Sequence, residues 1–207
     1  MKTIVCYGDS NTYGYNPENG FRYEYEERWT TILQKELKDS AIVIPEGLNG
    51  RTTSFEDELR PGRNGATYLD PCLHSHGPID LVVLMLGTND CKTIFGASAE
   101  IIGKGIVRLL EQINQYADKM KVLVISPIYL GEKVWQDGYD QEFSPESVEV
   151  SKKLEPVYEK VAGKYGKRFM RAADYASPSE ADQEHMDGQS HKILADAIYR
   201  KLEAEIL

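Results

Sequence analysis

Four short blocks, spread along most of the chain, combine glycine with side chains that can donate or accept a proton. Residues 8–11 read GDSN, residues 46–51 read EGLNGR, residues 87–90 read GTND and residues 182–185 read DQEH. Together they supply a hydroxyl, a carboxamide, an imidazole, a carboxylate and a glycine-containing turn. These are the components of a site that transfers an acyl group through a serine hydroxyl.

Three residues of these blocks have the properties of a catalytic triad. Ser10 is the candidate nucleophile, but a serine hydroxyl attacks poorly unless a neighbouring base removes its proton. His185 is the candidate base, and Asp182 would orient the imidazole and stabilise its charged form. A second interpretation of the same region pairs Asp187 with His191. The residue types alone leave both pairs open.

The glycine turns and one carboxamide offer donors for the oxyanion that forms when an ester carbonyl is attacked. The backbone N–H groups of Ser10 and Gly50 can supply two donors, and the side-chain amide of Asn89 a third. Gly50 suits this role because a missing Cβ lets a substrate approach the backbone. Gly47 lies in the same turn, and either glycine could be present only for its backbone conformation.

Short apolar runs alternate with longer amphipathic stretches, and these elements must position the four blocks. The candidate strands are residues 3–7, 41–44, 79–86, 121–125 and the weaker 168–171. Apolar stripes at helical spacing cover residues 29–37, 66–73, 101–113, 148–161 and 193–202, and Pro156 could kink the fourth of them. The alternation predicts an α/β fold with a five-stranded parallel sheet, order 2-1-3-4-5, and helices on both faces.

The predicted architecture brings the blocks together. Ligands of open α/β sheets bind beyond the carboxyl ends of the strands, and three of the blocks directly follow the first three apolar runs. No repeat, low-complexity tract or linker divides the chain, so we expect a single domain over residues 1–207.

Composition excludes several classes of protein. The net charge of −9 disfavours a nucleic-acid-binding protein, which needs a basic surface. The three cysteines are widely spaced and odd in number, which indicates a reducing compartment rather than a disulfide framework. The first residues lack the apolar region of a signal peptide, and no apolar run approaches the ~20 residues that span a bilayer. We expect a cytoplasmic protein that binds neither nucleic acid nor a membrane.

At the four blocks the chain resembles the SGNH hydrolases, the superfamily that contains the GDSL esterases. That family carries Ser, Gly, Asn and Asp-x-x-His in four conserved blocks, and the same residue types stand here in the same order. Residues 46–53, 64–69 and 85–90 look like the arylesterase/acyltransferase branch in particular. The resemblance covers almost the whole chain.

The resemblance implies a flavodoxin-like three-layer fold and hydrolysis of short-chain acyl esters without a metal or other cofactor. It assigns Ser10, Asp182 and His185 to the triad, and Ser10, Gly50 and Asn89 to the oxyanion hole. Members of this branch hydrolyse aryl and acetyl esters, and some transfer acyl groups to alcohols or peroxide. Several form homo-oligomers, including octamers, so a homo-oligomer is expected here.

The resemblance also favours one of the two histidine pairs. Family members often carry a second histidine six residues after the catalytic one, and His191 follows His185 by six. Asp187 would then be the N-cap of the last helix, and His191 a structural residue of its first turn. One departure from the family is Asn11, where a leucine is usual, which we interpret as a local packing difference that could alter pocket polarity.

Other polar and aromatic residues remain open to two interpretations. Cys72, His74 and His76 offer three possible metal ligands, but no well-spaced fourth residue accompanies them, so we expect no metal site and a helix end before Gly77. Candidate pocket or core aromatics are Tyr13, Tyr15 and Trp29.

We therefore expect a serine esterase that cleaves acetyl-type esters of small alcohols, phenols or sugars. One alternative is a thioesterase or lysophospholipase of the same superfamily, which would need a longer apolar channel. The alternative from another class is a flavodoxin-like binding module without hydrolysis. The irregular, aromatic residues 127–145 are expected to close the pocket or to contact another subunit.

Overall fold

The computed structural model describes residues 1–118 and 120–205. Its centre is a five-stranded sheet in the order β2-β1-β3-β4-β5, with every neighbouring pair parallel. The strands are β1 (Lys2–Gly8), β2 (Ala41–Gly47), β3 (Leu81–Met85), β4 (Lys121–Ser126) and β5 (Arg168–Arg171). The predicted fold class and strand order are confirmed.

Strand β2 is longer than its apolar run predicts. The run indicates an end before Pro45, but the strand continues to Gly47 and aligns Pro45 with Cys6 of β1. A proline is tolerated there because β2 is an edge strand, where a missing N–H costs no ladder hydrogen bond. The extension brings the next turn against β1, where the Leu48 N–H donates to the Gly8 carbonyl at 3.2 Å.

Within the described part of the chain, six α-helices surround the sheet, and the five predicted stripes lie in the last five of them. The helices are α1 (Ser10–Tyr13), α2 (Trp29–Leu37), α3 (Gly65–His76), α4 (Ala99–Tyr116), α5 (Pro145–Lys164) and α6 (Gly188–Glu205). Ser98 and Ser144 cap α4 and α5 by accepting backbone N–H groups of the first turn. Pro156 stands within α5 without ending it.

Successive residues of the strands face two different core layers. In β1, Val5 and Tyr7 pack with α3, α4 and α5, whereas Ile4 and Cys6 pack with α2 and α6. All four side chains are completely buried. The molecule therefore has three layers, with the sheet between two groups of helices. Within the described residues, no helix combines the length and the apolar character needed to cross a membrane.

Residues 127–144, which we call the β4–α5 segment, contain no helix or strand. Val134 and Phe143 anchor the segment because both side chains are buried. The segment follows the carboxyl end of β4, which is the edge of the sheet where the four sequence blocks were expected to meet.

Candidate active site

Ser10 stands directly beyond the carboxyl end of β1, at the first position of the one-turn helix α1. Asp9 is the N-cap, and its Oδ1 accepts a hydrogen bond from the Asn11 N–H at 3.0 Å. The Ser10 N–H has no acceptor within the helix, as is general for the first amides of a helix. The turn therefore leaves the backbone amide of Ser10 available to a ligand.

A chain of hydrogen bonds joins Ser10, His185 and Asp182. His185 Nε2 lies 2.8 Å from Ser10 Oγ, and its Nδ1 lies 2.6 Å from Asp182 Oδ2. Asp182 Oδ1 accepts the backbone N–H groups of Glu184 and His185 at 3.0 and 2.9 Å, which holds the loop in a tight turn. The tautomer that suits this arrangement donates Nδ1–H to Asp182 and leaves Nε2 to accept the Ser10 proton.

The surroundings of His185 favour its protonated form. Burial alone lowers the pKa of the imidazole, but the Glu184 carboxylate and the hydrogen bond and charge of Asp182 together raise it above its ordinary value. Burial likewise opposes ionisation of Asp182, yet the hydrogen bond from His185 holds the pKa of that carboxyl below its usual range. Asp182 is therefore ionised at neutral pH, and His185 is a stronger base than a free imidazole.

His191 has a different environment. Its Nδ1 accepts the backbone N–H of Trp29 at 3.3 Å, and its ring meets the Tyr23 ring edge-on, with the centroids 5.2 Å apart. Burial lowers the pKa of His191 to about 4, so the ring is neutral at neutral pH. It acts as a buried structural group between α2 and α6.

The two candidate acid–base pairs are thereby separated by geometry. Asp187 is occupied at the start of α6, where its Oδ1 accepts the Ser190 N–H at 2.7 Å in the manner of an N-cap. Asp182 and His185 are the pair that the fold brings to Ser10.

Asn11 connects the nucleophile turn to the histidine loop. Its Oδ1 accepts the Met186 N–H at 2.9 Å, and its backbone carbonyl accepts the Trp29 Nε1–H at 3.1 Å. Asn11 is buried and does not join the lining of the cleft described below. Asn11, which stands where a leucine is usual, therefore holds the backbone of Met186, the residue after His185. It does not change the polarity of the cleft.

Gly50 and Asn89 line the same cleft as Ser10. Gly50 has a φ of 79°, in the left-handed region that glycine adopts at little cost, and a Cβ there would lie 3.3 Å from Arg63 Cγ. The Asn89 amide donates one hydrogen bond to the Arg51 carbonyl at 3.2 Å. That bond orients the amide and leaves its second N–H available to a ligand.

Two interactions hold the Gly50 turn in place. Gly47 packs against α1 so closely that a Cβ would lie 2.1 Å from the Tyr13 nitrogen, which explains the second glycine of this turn. The fully buried Asp90 accepts the Thr53 N–H at 3.0 Å and the Thr53 hydroxyl at 2.5 Å, and burial raises the pKa of Asp90 to about 7. Asp90 thus ties the block after β3 to the turn after β2.

An open cleft of about 670 Å³ lies over these groups. Besides the predicted site residues, its polar and aromatic lining includes Tyr15, Arg60, Arg63, Lys92, Asp140 and Glu184. Among the described residues, no leucine, isoleucine, valine, methionine or phenylalanine lines the cleft. The cleft therefore suits a small polar molecule better than a long alkyl chain.

The β4–α5 segment forms one wall of the cleft, to which it contributes residues 138–140. Glu142 of this segment accepts hydrogen bonds from Arg60 and from Lys92, each at 2.5 Å, and these ion pairs hold the segment in position. Arg60 belongs to the loop between β2 and α3, and Lys92 follows β3. The wall is thus held from two other parts of the chain.

Of two further residues that lie beside His185 in the cleft, the sequence analysis named Tyr15 as a candidate and missed Glu184. Tyr15 is the one of the three candidate aromatics that lines the cleft, with its ring centroid 4.3 Å from that of His185, whereas Trp29 is buried in the core. Glu184 lies inside the Asp-x-x-His block at a position whose identity the motif leaves open. A carboxylate directly before the candidate base was the signal that could have found it.

A cluster of possible metal ligands outside the cleft differs in its members from the set named in the sequence analysis, because Glu46 takes the place of His74. Glu46, Cys72 and His76 bring possible metal-ligand atoms within 4.8 Å of one another, although only the last two are close in sequence. His76 Nε2 lies 2.6 Å from Glu46 Oε1, and burial raises the pKa of the Cys72 thiol to about 12. We interpret the cluster as a hydrogen-bonded pair beside a protonated thiol. His76 ends α3, as predicted.

The chain resembles known proteins over nearly its whole length. Residues 6–192 match the GDSL-like lipase/acylhydrolase family. No protein with a curated description matches the chain significantly.

Solved structures that match include a carbohydrate acetylesterase family member from Sinorhizobium meliloti, with a TM-score of 0.92, 36% identity and 98% of each chain covered. The native aryl esterase of M. smegmatis matches with a TM-score of 0.90, 33% identity and 99% of each chain covered. The chain thus belongs to the GDSL-like lipase/acylhydrolase family, as its motifs predicted, and is a carboxylic-ester hydrolase.

Proposed function

We propose that this ester hydrolase uses Ser10 to cleave short-chain, acetyl-type esters of small alcohols, phenols or sugars. The observation that carries the proposal is the hydrogen-bonded chain from Ser10 through His185 to Asp182 in the lining of the cleft. Acyl transfer to an alcohol is a second outcome of the same chemistry.

In the first half of the reaction, Ser10 Oγ attacks the ester carbonyl carbon while His185 Nε2 takes the hydroxyl proton. Asp182 holds the ring and stabilises the imidazolium. The carbonyl electrons move to the oxygen, where the N–H groups of Ser10, Gly50 and the Asn89 side chain stabilise the negative charge. The intermediate collapses as the bond to the leaving alcohol breaks, and His185 returns the proton to that alcohol.

In the second half, a water molecule attacks the acyl-enzyme while His185 removes one of its protons. The same donors stabilise the second oxyanion, and the proton returns to Ser10 Oγ as the carboxylic acid leaves. An alcohol in place of water yields a new ester, so the outcome depends on which nucleophile occupies the cleft. No step requires a metal or another cofactor.

The preference for short acyl chains is supported by the polar lining of the cleft. A long acyl chain gains affinity by burying methylene groups, and a lining without large aliphatic side chains offers little such burial. The names of the two relatives, a carbohydrate acetylesterase and an aryl esterase, point to the same class of ester. The expected homo-oligomer and cytoplasmic location remain predictions, and light scattering of the purified protein would test the first.

The direct test is labelling with a fluorophosphonate, which reacts with activated serine hydroxyls, followed by mass-spectrometric mapping of the modified residue. We expect the reagent to modify Ser10 and to abolish p-nitrophenyl acetate hydrolysis, and we expect Ser10→Ala to be neither labelled nor active. Folded protein in which Ser10 stays unlabelled would contradict the proposal and favour a binding module.

A second measurement tests the acyl chain. We expect kcat/KM to fall from p-nitrophenyl acetate to the octanoate, because the described lining of the cleft is largely polar. A rise with chain length would favour the thioesterase or lysophospholipase alternative.

A further inference from the structure

Glu184 is a buried carboxylate in the lining of the cleft that has no hydrogen-bond partner among the described residues. The residue is only 7% exposed, and its backbone N–H is used by Asp182. Burial raises the pKa of its side chain. Glu184 lines the open cleft, where its carboxylate oxygens reach solvent and can accept a hydrogen bond from a ligand.

None of the described charged side chains around Glu184 donates a hydrogen bond to its carboxylate. Lys92 Nζ donates to Glu142 instead, and Asp140 and Asp182 are carboxylates themselves. His185 is the nearest cation when it is protonated, with Nε2 3.8 Å from Glu184 Oε1, beyond hydrogen-bond distance. Glu184 is thus an acceptor beside the ring nitrogen that faces Ser10.

The position of the Glu184 carboxylate determines which part of a substrate it can contact. In the proposed reaction Nε2 gives its proton to the oxygen of the leaving alcohol, and later takes one from the incoming water or alcohol. That oxygen must therefore lie next to Nε2, and groups on the second carbon atom of the alcohol, next to the carbon that bears this oxygen, lie within reach of Glu184. A hydroxyl on that second carbon can donate to the carboxylate, whereas an alkyl or phenyl group cannot.

We propose that Glu184 determines specificity for esters of vicinal diols, the pattern found in sugars and glycerol, by accepting a hydrogen bond from the hydroxyl next to the ester oxygen. The inference rests on the proposed function and names the substrate class of the same site. It applies equally to acyl transfer, because a polyol acceptor presents its second hydroxyl to Glu184 while the first faces His185.

The test compares two esters that differ only in hydroxyl groups, glycerol 1-monoacetate and propyl acetate. Glu184→Met keeps the length of the side chain but removes the acceptor. We expect it to lower kcat/KM for glycerol monoacetate about 10-fold or more relative to propyl acetate, as loss of a charge-assisted hydrogen bond implies. Glu159→Met makes the same substitution at an exposed position of α5 and should leave the ratio unchanged.

The outcomes separate the inference from the function on which it rests. An equal fall for both esters, or an unchanged ratio, would overturn the role of Glu184 while leaving the esterase intact. A wild-type protein that cleaves neither ester would instead contradict the proposed function. If Glu184→Met fails to fold, Glu184→Gln provides the same comparison, with a smaller loss because a neutral acceptor remains, and an unchanged ratio there also overturns the inference.

Discussion

His185 and His191 lie six residues apart, and both are buried, yet their protonation is shifted in opposite directions. Two carboxylates, Glu184 and Asp182, raise the pKa of His185 against the effect of burial. Burial dominates at His191 and lowers its pKa to about 4. Burial alone therefore does not make a histidine a base or a structural group, and the carboxylates beside the ring decide.

The two aspartates show the same contrast. Asp182 accepts the loop N–H groups with one oxygen and directs the other at the His185 ring. Asp187 uses its carboxylate on the Ser190 N–H at the start of α6, which leaves His191 to the Trp29 backbone. Only the Asp182–His185 pair has the contact between carboxylate and ring that the proposed mechanism needs.

The largest difference between the two histidines is expected when each imidazole ring is removed in turn. His185→Ala should lower kcat for p-nitrophenyl acetate by about 10³-fold or more, because the serine loses its base. His191→Ala should retain nearly full kcat and lose stability instead. Steady-state kinetics on folded samples, checked by circular dichroism, measure both. Loss of turnover in His191→Ala alone would reverse our assignment.

The next largest effect concerns Asp182. Asp182→Asn keeps the shape of the side chain but removes the charge and favours the wrong ring tautomer, so kcat should fall by about 10²- to 10⁴-fold. Asp187→Asn provides the control, because asparagine is also a good N-cap, and kcat should stay near that of the wild type. Similar losses in the two variants would show that the aspartates do not differ in function.

A moderate effect is expected on stability as a function of pH. A base whose pKa is lowered on folding binds fewer protons in the folded state, so His191 should cause stability to fall as the pH drops from about 6.5 towards 4, by about 1.4 kcal/mol per pH unit. His191→Gln retains an acceptor for the Trp29 N–H but lacks this titration. Urea unfolding at several pH values should show a shallower decline in the variant.

The control for that experiment is His74→Gln, at an exposed histidine whose side chain is 64% accessible. It should follow the wild-type profile. If wild type and His191→Gln decline in parallel, the buried ring does not have the depressed pKa that the structure indicates.

The smallest effect is a displacement of the pH–rate profile. Activity should rise with pH as His185 loses its proton, and Glu184→Gln should move this acidic limb of kcat/KM to lower pH. The sign follows because the Glu184 carboxylate favours the imidazolium, so removing its charge lowers the pKa of His185. Glu159→Gln should leave the limb in place, whereas a shift to higher pH in Glu184→Gln would contradict the assigned interaction.

Much of the architecture was predictable because it depends on local pattern. Continuous apolar runs predicted the buried strands β1, β3 and β4. Apolar residues that repeat about every 3.6 positions predicted the five longer helices. The end of β2 was missed because a proline normally ends a strand, and only the position of β2 at the sheet edge allows Pro45 within it. That edge position is a property of the assembled sheet.

The order of the strands and helices, and the four blocks beside them, could be predicted from the sequence, since hydrophobic periodicity and turn residues act over a few positions. Only the folded chain shows which aspartate contacts which histidine, and that the Glu184 carboxylate lies 3.8 Å from His185 Nε2 without a hydrogen bond from another described side chain. These contacts could not be predicted because some of the residues that meet are far apart along the chain. Ser10 and His185 are 175 residues apart, and contact between them depends on the packing of the whole sheet and its helices.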